Sequence, residues 1–175
     1  MELKIELIRA CIKGDAKAEK ALYDKYSRTM FGLCMRYCKN RQDAEDVFQE
    51  GFINVYSNLK NYGFKGSFEG WMKRIFINQA INYYRYDDSD KNVDEIYIDN
   101  NAEIRNYSRF TNYEIMESIQ KLNKAPRLVF NMIEVEGYTY KETAKTLDIK
   151  ESTVRTHYHL AKKDLRVMLE KLEKN

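Results

Sequence analysis

The chain has 175 residues, 43% of them hydrophobic, with seven Gly and a single Pro, which supports a packed core and long helices and excludes wholesale disorder. The net charge of +3 is unevenly spread. Residues 1–86 carry 15 Lys/Arg against 10 Asp/Glu, residues 87–112 carry 3 against 7, and residues 113–175 carry 12 against 10, so two mildly basic blocks flank an acidic one.

From the N-terminus, Met1-Glu2-Leu3-Lys4-Ile5-Glu6 is charged and alternating, unlike a signal peptide. No later run is long and apolar enough to span a membrane. The cysteines are Cys11, Cys34 and Cys38, an odd and small set that fits reduced thiols in the cytoplasm. Cys34 and Cys38 share a helix face. Without two further ligands nearby they read as core packing rather than a metal pair.

Residues 43–59 give the cleanest helical pattern. Ala44, Val47, Phe48, Gly51, Phe52, Val55, Tyr56 and Leu59 form one apolar face. The opposite face carries Asp46, Gln49, Glu50, Ile53 and Ser57. Ile53 is either a lone exposed apolar residue or an anchor in a protein-binding surface. A loop follows, Asn61-Tyr62-Gly63-Phe64-Lys65-Gly66, whose aromatics and lysine suit stacked bases and phosphate.

Residues 67–86 predict a second long helix, with Ser67 capping its first turn and Glu69 near its positive end. Its apolar residues cover most of the circumference. One strip escapes: Arg74, Asn78, Asn82 and Arg85, with Lys73 beside it. Cations bind phosphates and amides bond base edges, so the strip is either a DNA contact or an ordinary solvated surface. Residues 87–112 are rich in Asp and Asn, which favour turns, and read as a linker between two helical domains, 1–86 and 113–175.

Residues 138–172 predict a helix-turn-helix. Thr139 to Glu142 fits a capping box, Ala144 and Leu147 face inward, and Asp148-Ile149-Lys150 makes the turn. On the second helix Val154, Tyr158, Ala161, Leu165, Met168 and Leu172 mark the expected buried stripe. The other face carries Ser152, Thr153, Arg155, Thr156, His159, Lys162, Lys163 and Arg166, suited to base edges near the helix start and phosphates further along. His157 is assigned to packing or surface. Neither histidine has ligand partners at metal spacing.

These blocks together resemble the extracytoplasmic-function class of sigma factors, over residues 8–86 and 113–172. The resemblance is carried by Arg41-Gln42-Asp43-Ala44-Glu45-Asp46-Val47-Phe48-Gln49-Glu50-Gly51-Phe52, similar to the family's D-A-E-D-x-x-Q-E-x-F. It is also carried by Gly66-Ser67-Phe68-Glu69-Gly70-Trp71-Met72-Lys73-Arg74-Ile75-Phe76-Ile77-Asn78, similar to G-S-F-x-x-W-x-x-x-I-x-x-N. It implies an all-α protein of two small helical domains joined by a flexible acidic linker, with no catalytic residues, no metal and no cofactor.

The implied partners are core RNA polymerase, promoter DNA and an anti-sigma factor. Asp43, Asp46, Gln49, Glu50 and Ile53 would meet the beta-prime clamp helices. Phe64, Lys65, Ser67, Lys73, Arg74, Asn78, Asn82 and Arg85 would read the minus-ten element. Ser152, Thr153, Arg155, Thr156, His159, Lys162 and Lys163 would read the minus-thirty-five element. Neither an N-terminal regulatory region nor a long C-terminal extension is expected.

Three residues depart from the family pattern. Asp148 replaces a usual Gly, Lys150 a capping Ser, and Thr143 an aliphatic residue. Capping by Ser152 or Thr153, with a later helix start, is the expected compensation. The competing readings are a stand-alone helix-turn-helix repressor and a nucleic-acid enzyme using Asp43, Glu45, Asp46 and Glu50.

Overall fold

The computed structural model describes residues 2–86 and 110–173, with side chains for 5–84 and 110–173. The side chain of Arg85 and most of the segment expected as a linker lie outside the described residues. Among the described residues all regular structure is helical. The chain divides into two compact units, Met1–Tyr83 and Tyr84–Asn175.

The first unit is built from α1 (Glu2–Ile12), α2 (Ala16–Tyr37), α3 (Arg41–Asn58) and all but the last residues of α4 (Phe68–Tyr86). Short polar residues set the helix starts. The Asp15 carboxylate accepts from the backbone N–H of Lys17 and Ala18 at 2.8 and 3.1 Å, and the Asn40 side chain accepts from Asp43 N–H at 2.9 Å. Ser67 caps α4 as expected, its Oγ accepting from Gly70 N–H at 3.3 Å.

The core joins Leu22, Met30, Leu33 and Cys34 of α2 to Val47 and Val55 of α3 and to Met72 and Phe76 of α4. Gly51 fixes the approach of α3 to α4: a Cβ there would stand 2.3 Å from Cε1 of Phe76. Asn54 donates to Gln79 at 3.0 Å across the same pair of helices. All three cysteines are buried. Burial pushes the Cys34 thiol far above its ordinary range, with Cys38 adding to the effect. A thiol held neutral in this way packs as a small apolar group.

The second unit comprises α5 (Asn112–Lys121), α6 (Lys124–Phe130), α7 (Tyr140–Leu147) and α8 (Glu151–Leu172). α6 runs on into a wider-wound turn over Asn131–Val135. Capping boxes start α5 at Thr111 and α7 at Thr139. Arg127 is buried, and its guanidinium donates to the carbonyls of Gln120 and Leu122 at 2.9 Å each, satisfying the end of α5.

The buried stripe of α8 differs from the expected one. Val154, Ala161 and Leu165 are buried, but the stripe is completed by His157 and Leu169. Tyr158 and Met168 are only half-buried, and Leu172 is exposed. Over six turns of straight helix, a ladder stepping by three and four accommodates either neighbour at each step; packing against α5 and α6 selects among them. On α7, Ala144 and Leu147 are half-buried, and Thr143 is the residue fully enclosed.

Candidate functional site

Four surface features hold the residues singled out by sequence. On α3, Asp46, Gln49, Glu50 and Ile53 are all exposed, and Ile53 keeps 56% of its surface in solvent. The four are spaced so that they share one face of the helix. Asp43, one turn earlier, is half-buried and accepts from the Tyr83 hydroxyl at 3.2 Å. Burial and the neighbouring Asp43 carboxylate raise the Tyr83 phenol above its ordinary value. Asp43 therefore ties α3 to α4 as well as standing at the head of the acidic face.

On α4, Arg74, Asn78 and Asn82 are exposed in a row, as their spacing required, and Lys73 is half-buried beside Glu69 at 3.9 Å. The apolar residues around them are turned into the unit, so this polar strip is what α4 offers to solvent.

The loop before α4 is braced by aromatics. Tyr62 is buried, its ring 5.0 Å from Phe68 and 5.4 Å from Trp71, and its hydroxyl donates to the Gly66 carbonyl at 3.0 Å. Phe64, Lys65 and Ser67 are left exposed. Phe64 has a positive φ of 53°.

In the second unit the turn between α7 and α8 is closed by Asp148 at φ 58°, ψ 48°, and the N–H of Ile149 donates to the Ala144 carbonyl at 3.1 Å. Asp thus takes the left-handed position usually given to Gly. The expected later start of α8 is not found. The helix begins at Glu151, with Lys150 at the cap position and no side-chain cap bond, so Ser152 and Thr153 lie inside the first turn. There Ser152 serves instead as an acceptor, its carbonyl taking the Thr156 hydroxyl at 3.2 Å.

Ser152, Arg155 and Lys163 are exposed; Thr153, Thr156, His159 and Lys162 are half-buried. Arg155 is held on two sides. Its guanidinium pairs with Glu151 at 2.7 Å and lies 4.4 Å from the ring centre of Tyr140 on α7. Tyr140 meets Tyr158 edge-on at 5.8 Å, and the Tyr158 hydroxyl donates to Glu134. Burial, followed by the Glu134 carboxylate, pushes the Tyr158 phenol far up, so it stays protonated and donating. Lys162 sits 5.2 Å from the Tyr158 ring centre.

Glu134, Tyr140 and Glu151 are not among the residues expected to matter, and Tyr158 is expected only as part of the buried stripe. Only the Glu151–Arg155 pair had a sequence signal, its spacing of four along one helix.

Within the first unit, Arg9 on α1 is a further cation near the loop, 5.7 Å from the Phe64 ring centre. Among the described residues no group of three or more His, Cys, Asp or Glu is placed to hold a metal ion, and no helix is long and apolar enough to cross a membrane.

Comparison with known proteins matches both units. Residues 22–89 fit the family Sigma-70 region 2, and residues 113–165 fit Sigma-70, region 4. The ECF RNA polymerase sigma-E factor of Escherichia coli is 30% identical over 172 residues, covering 89% of this chain and 88% of that protein. The ECF RNA polymerase sigma factor SigE of Mycolicibacterium smegmatis is 28% identical over 166 residues, covering 86% of this chain; the matched part spans 61% of that relative's length. Among solved structures, the sigma factor RpoE in complex with the anti-sigma factor NepR from Bartonella quintana superposes with a TM-score of 0.57 at 15% identity, covering 86% of this chain and 96% of that one.

Proposed function

The chain belongs to the extracytoplasmic-function sigma factors, and from that premise we propose that it binds core RNA polymerase and directs initiation at its own set of promoters. It is not an enzyme: polymerase forms the phosphodiester bonds, and this subunit supplies promoter choice and strand opening. A partner of polymerase works in the cytoplasm.

The observation that carries the docking role is the exposed face of Asp46, Gln49, Glu50 and Ile53 on α3. An acidic rim around one apolar anchor suits a basic helical partner, here the clamp helices of the beta-prime subunit. A stand-alone repressor has no use for such a face. The α4 strip and the aromatic loop suit the opened minus-ten element. The basic face of α8 suits the minus-thirty-five duplex. Since the Bartonella quintana sigma factor is seen with an anti-sigma factor, a partner of that kind is proposed for this chain too.

The test is direct. Asp46→Lys with Glu50→Lys should abolish binding to purified core polymerase while leaving the helical circular dichroism and melting temperature as in wild type. Wild-type affinity for core in the double variant would remove α3 from the docking surface.

A further inference from the structure

Tyr158 stands on α8 between Arg155 and Lys162, one turn from each. That spacing puts all three on neighbouring positions of one helix face, with the two cations about 10 Å apart along the axis. Tyr158 is half-buried, at the border between the buried stripe of α8 and its basic face. Each cation rests on a tyrosine: Arg155 lies 4.4 Å from the ring centre of Tyr140, and Lys162 lies 5.2 Å from that of Tyr158. The two tyrosines meet edge-on at 5.8 Å. The aromatic pair therefore sets the separation of the cations as well as the direction of each.

The pair is itself tied down from outside α7 and α8. The Tyr158 hydroxyl donates to the Glu134 carboxylate, and Glu134 comes from the wider-wound turn over Asn131–Val135. Turns wound this widely are rare and recur at functional sites. Burial, then the Glu134 carboxylate, keeps the phenol protonated, so the donor stays in place. Glu134 is exposed, and a carboxylate beside a DNA-binding face repels phosphate. Its bond to Tyr158 gives it a use other than binding.

We propose that Glu134 and Tyr158 are positioning residues for recognition of the upstream duplex: through Tyr140 they hold Arg155 and Lys162 at the separation that fits the preferred sequence. Side chains fixed before binding lose less freedom on binding, and fixed donors discriminate between base patterns better than mobile ones. The proposal rests on reading the basic face of α8 as the duplex contact and adds to that face a brace anchored outside the helix-turn-helix.

The test is competition between the preferred upstream duplex and a scrambled one for full-length protein assembled with core polymerase. Tyr158→Phe keeps the ring and removes only the donor. It should lower discrimination about threefold, the share of one ordinary hydrogen bond, and leave affinity for the scrambled duplex unchanged. Glu134→Ala should lose as much discrimination, and the double variant no more than either alone, because both changes break one link. Glu134→Gln should retain most of it, since the amide oxygen still accepts. Wild-type discrimination in Tyr158→Phe and Glu134→Ala, where Arg155→Ala is defective, would overturn the brace and leave the reading of α8 intact. Additive losses, equal losses in Glu134→Gln and Glu134→Ala, or losses confined to temperatures at which the second unit unfolds would also overturn the brace. Wild-type discrimination in Arg155→Ala as well would overturn the reading of α8 itself.

Discussion

The guanidinium of Arg155, four residues past Glu151 on α8, rests 4.4 Å from the ring centre of Tyr140 on α7. The two helices of the helix-turn-helix are thereby joined at a residue proposed to read DNA. An arginine paired with a carboxylate and laid on an aromatic face has little rotamer freedom left to lose on binding.

Arg155→Ala should therefore cost about 1–3 kcal/mol in discrimination between the preferred upstream duplex and a scrambled one. Tyr140→Leu should cost less, about 0.5–1 kcal/mol, because it removes the seat and not the reader. The measurement is competition between the two duplexes for holoenzyme. Equal losses on both duplexes would make Arg155 a phosphate contact.

Gly51 is where α3 comes closest to Phe76. Gly→Ala inside a helix ordinarily stabilises by about 1 kcal/mol. Here the added methyl meets a fully buried ring, and overpacking of this kind costs about 1–3 kcal/mol. Gly51→Ala should lower the unfolding free energy in denaturant titrations. Combining it with Phe76→Leu should destabilise by less than the sum of the two single changes.

Asp148 holds a left-handed conformation at φ 58°. Glycine accepts that geometry freely, and L-residues pay about 1–2 kcal/mol for it, Asp somewhat less. The extra freedom of glycine in the unfolded chain offsets part of the gain. Asp148→Gly should raise the melting temperature of the second unit slightly. A fall would mean that the Asp148 carboxylate makes a stabilising contact in the turn.

His157 is buried, and burial lowers its pKa below the ordinary 6.5. Between that lowered value and 6.5 the unfolded chain binds more protons than the folded one, so stability rises with pH across the window and is lost on acidification through it. Denaturation midpoints taken from pH 7 downward should fall, and His157→Leu should flatten the decline. An unchanged slope in the variant would assign the pH dependence to other groups.

Much of this was legible from sequence because it is local. The apolar ladder of residues 43–59, the capping box at Thr139 and the polar strip of α4 each follow from spacing along one helix. The two ordered signature blocks were specific enough to imply the family. What sequence did not give was tertiary. The buried edge of α8 passes through His157 and Leu169 because the neighbouring helices of the unit pack against it, a choice invisible in α8 itself. The start of α8 at Glu151 carries no sequence signal, because Lys150 at the cap position offers no capping side chain and the helix starts without one. The Tyr140–Arg155 and Arg9–Phe64 contacts join residues 15 and 55 positions apart, and no periodicity reports them.

The central claim is tested most directly by run-off transcription with purified core polymerase on a genomic promoter library, with and without this protein. The account predicts transcripts from a defined subset of templates that share upstream and downstream elements, absent with core alone and lost in the Asp46→Lys, Glu50→Lys variant. No promoter-specific transcript from any template, with core shown to be active by another sigma factor, would contradict it.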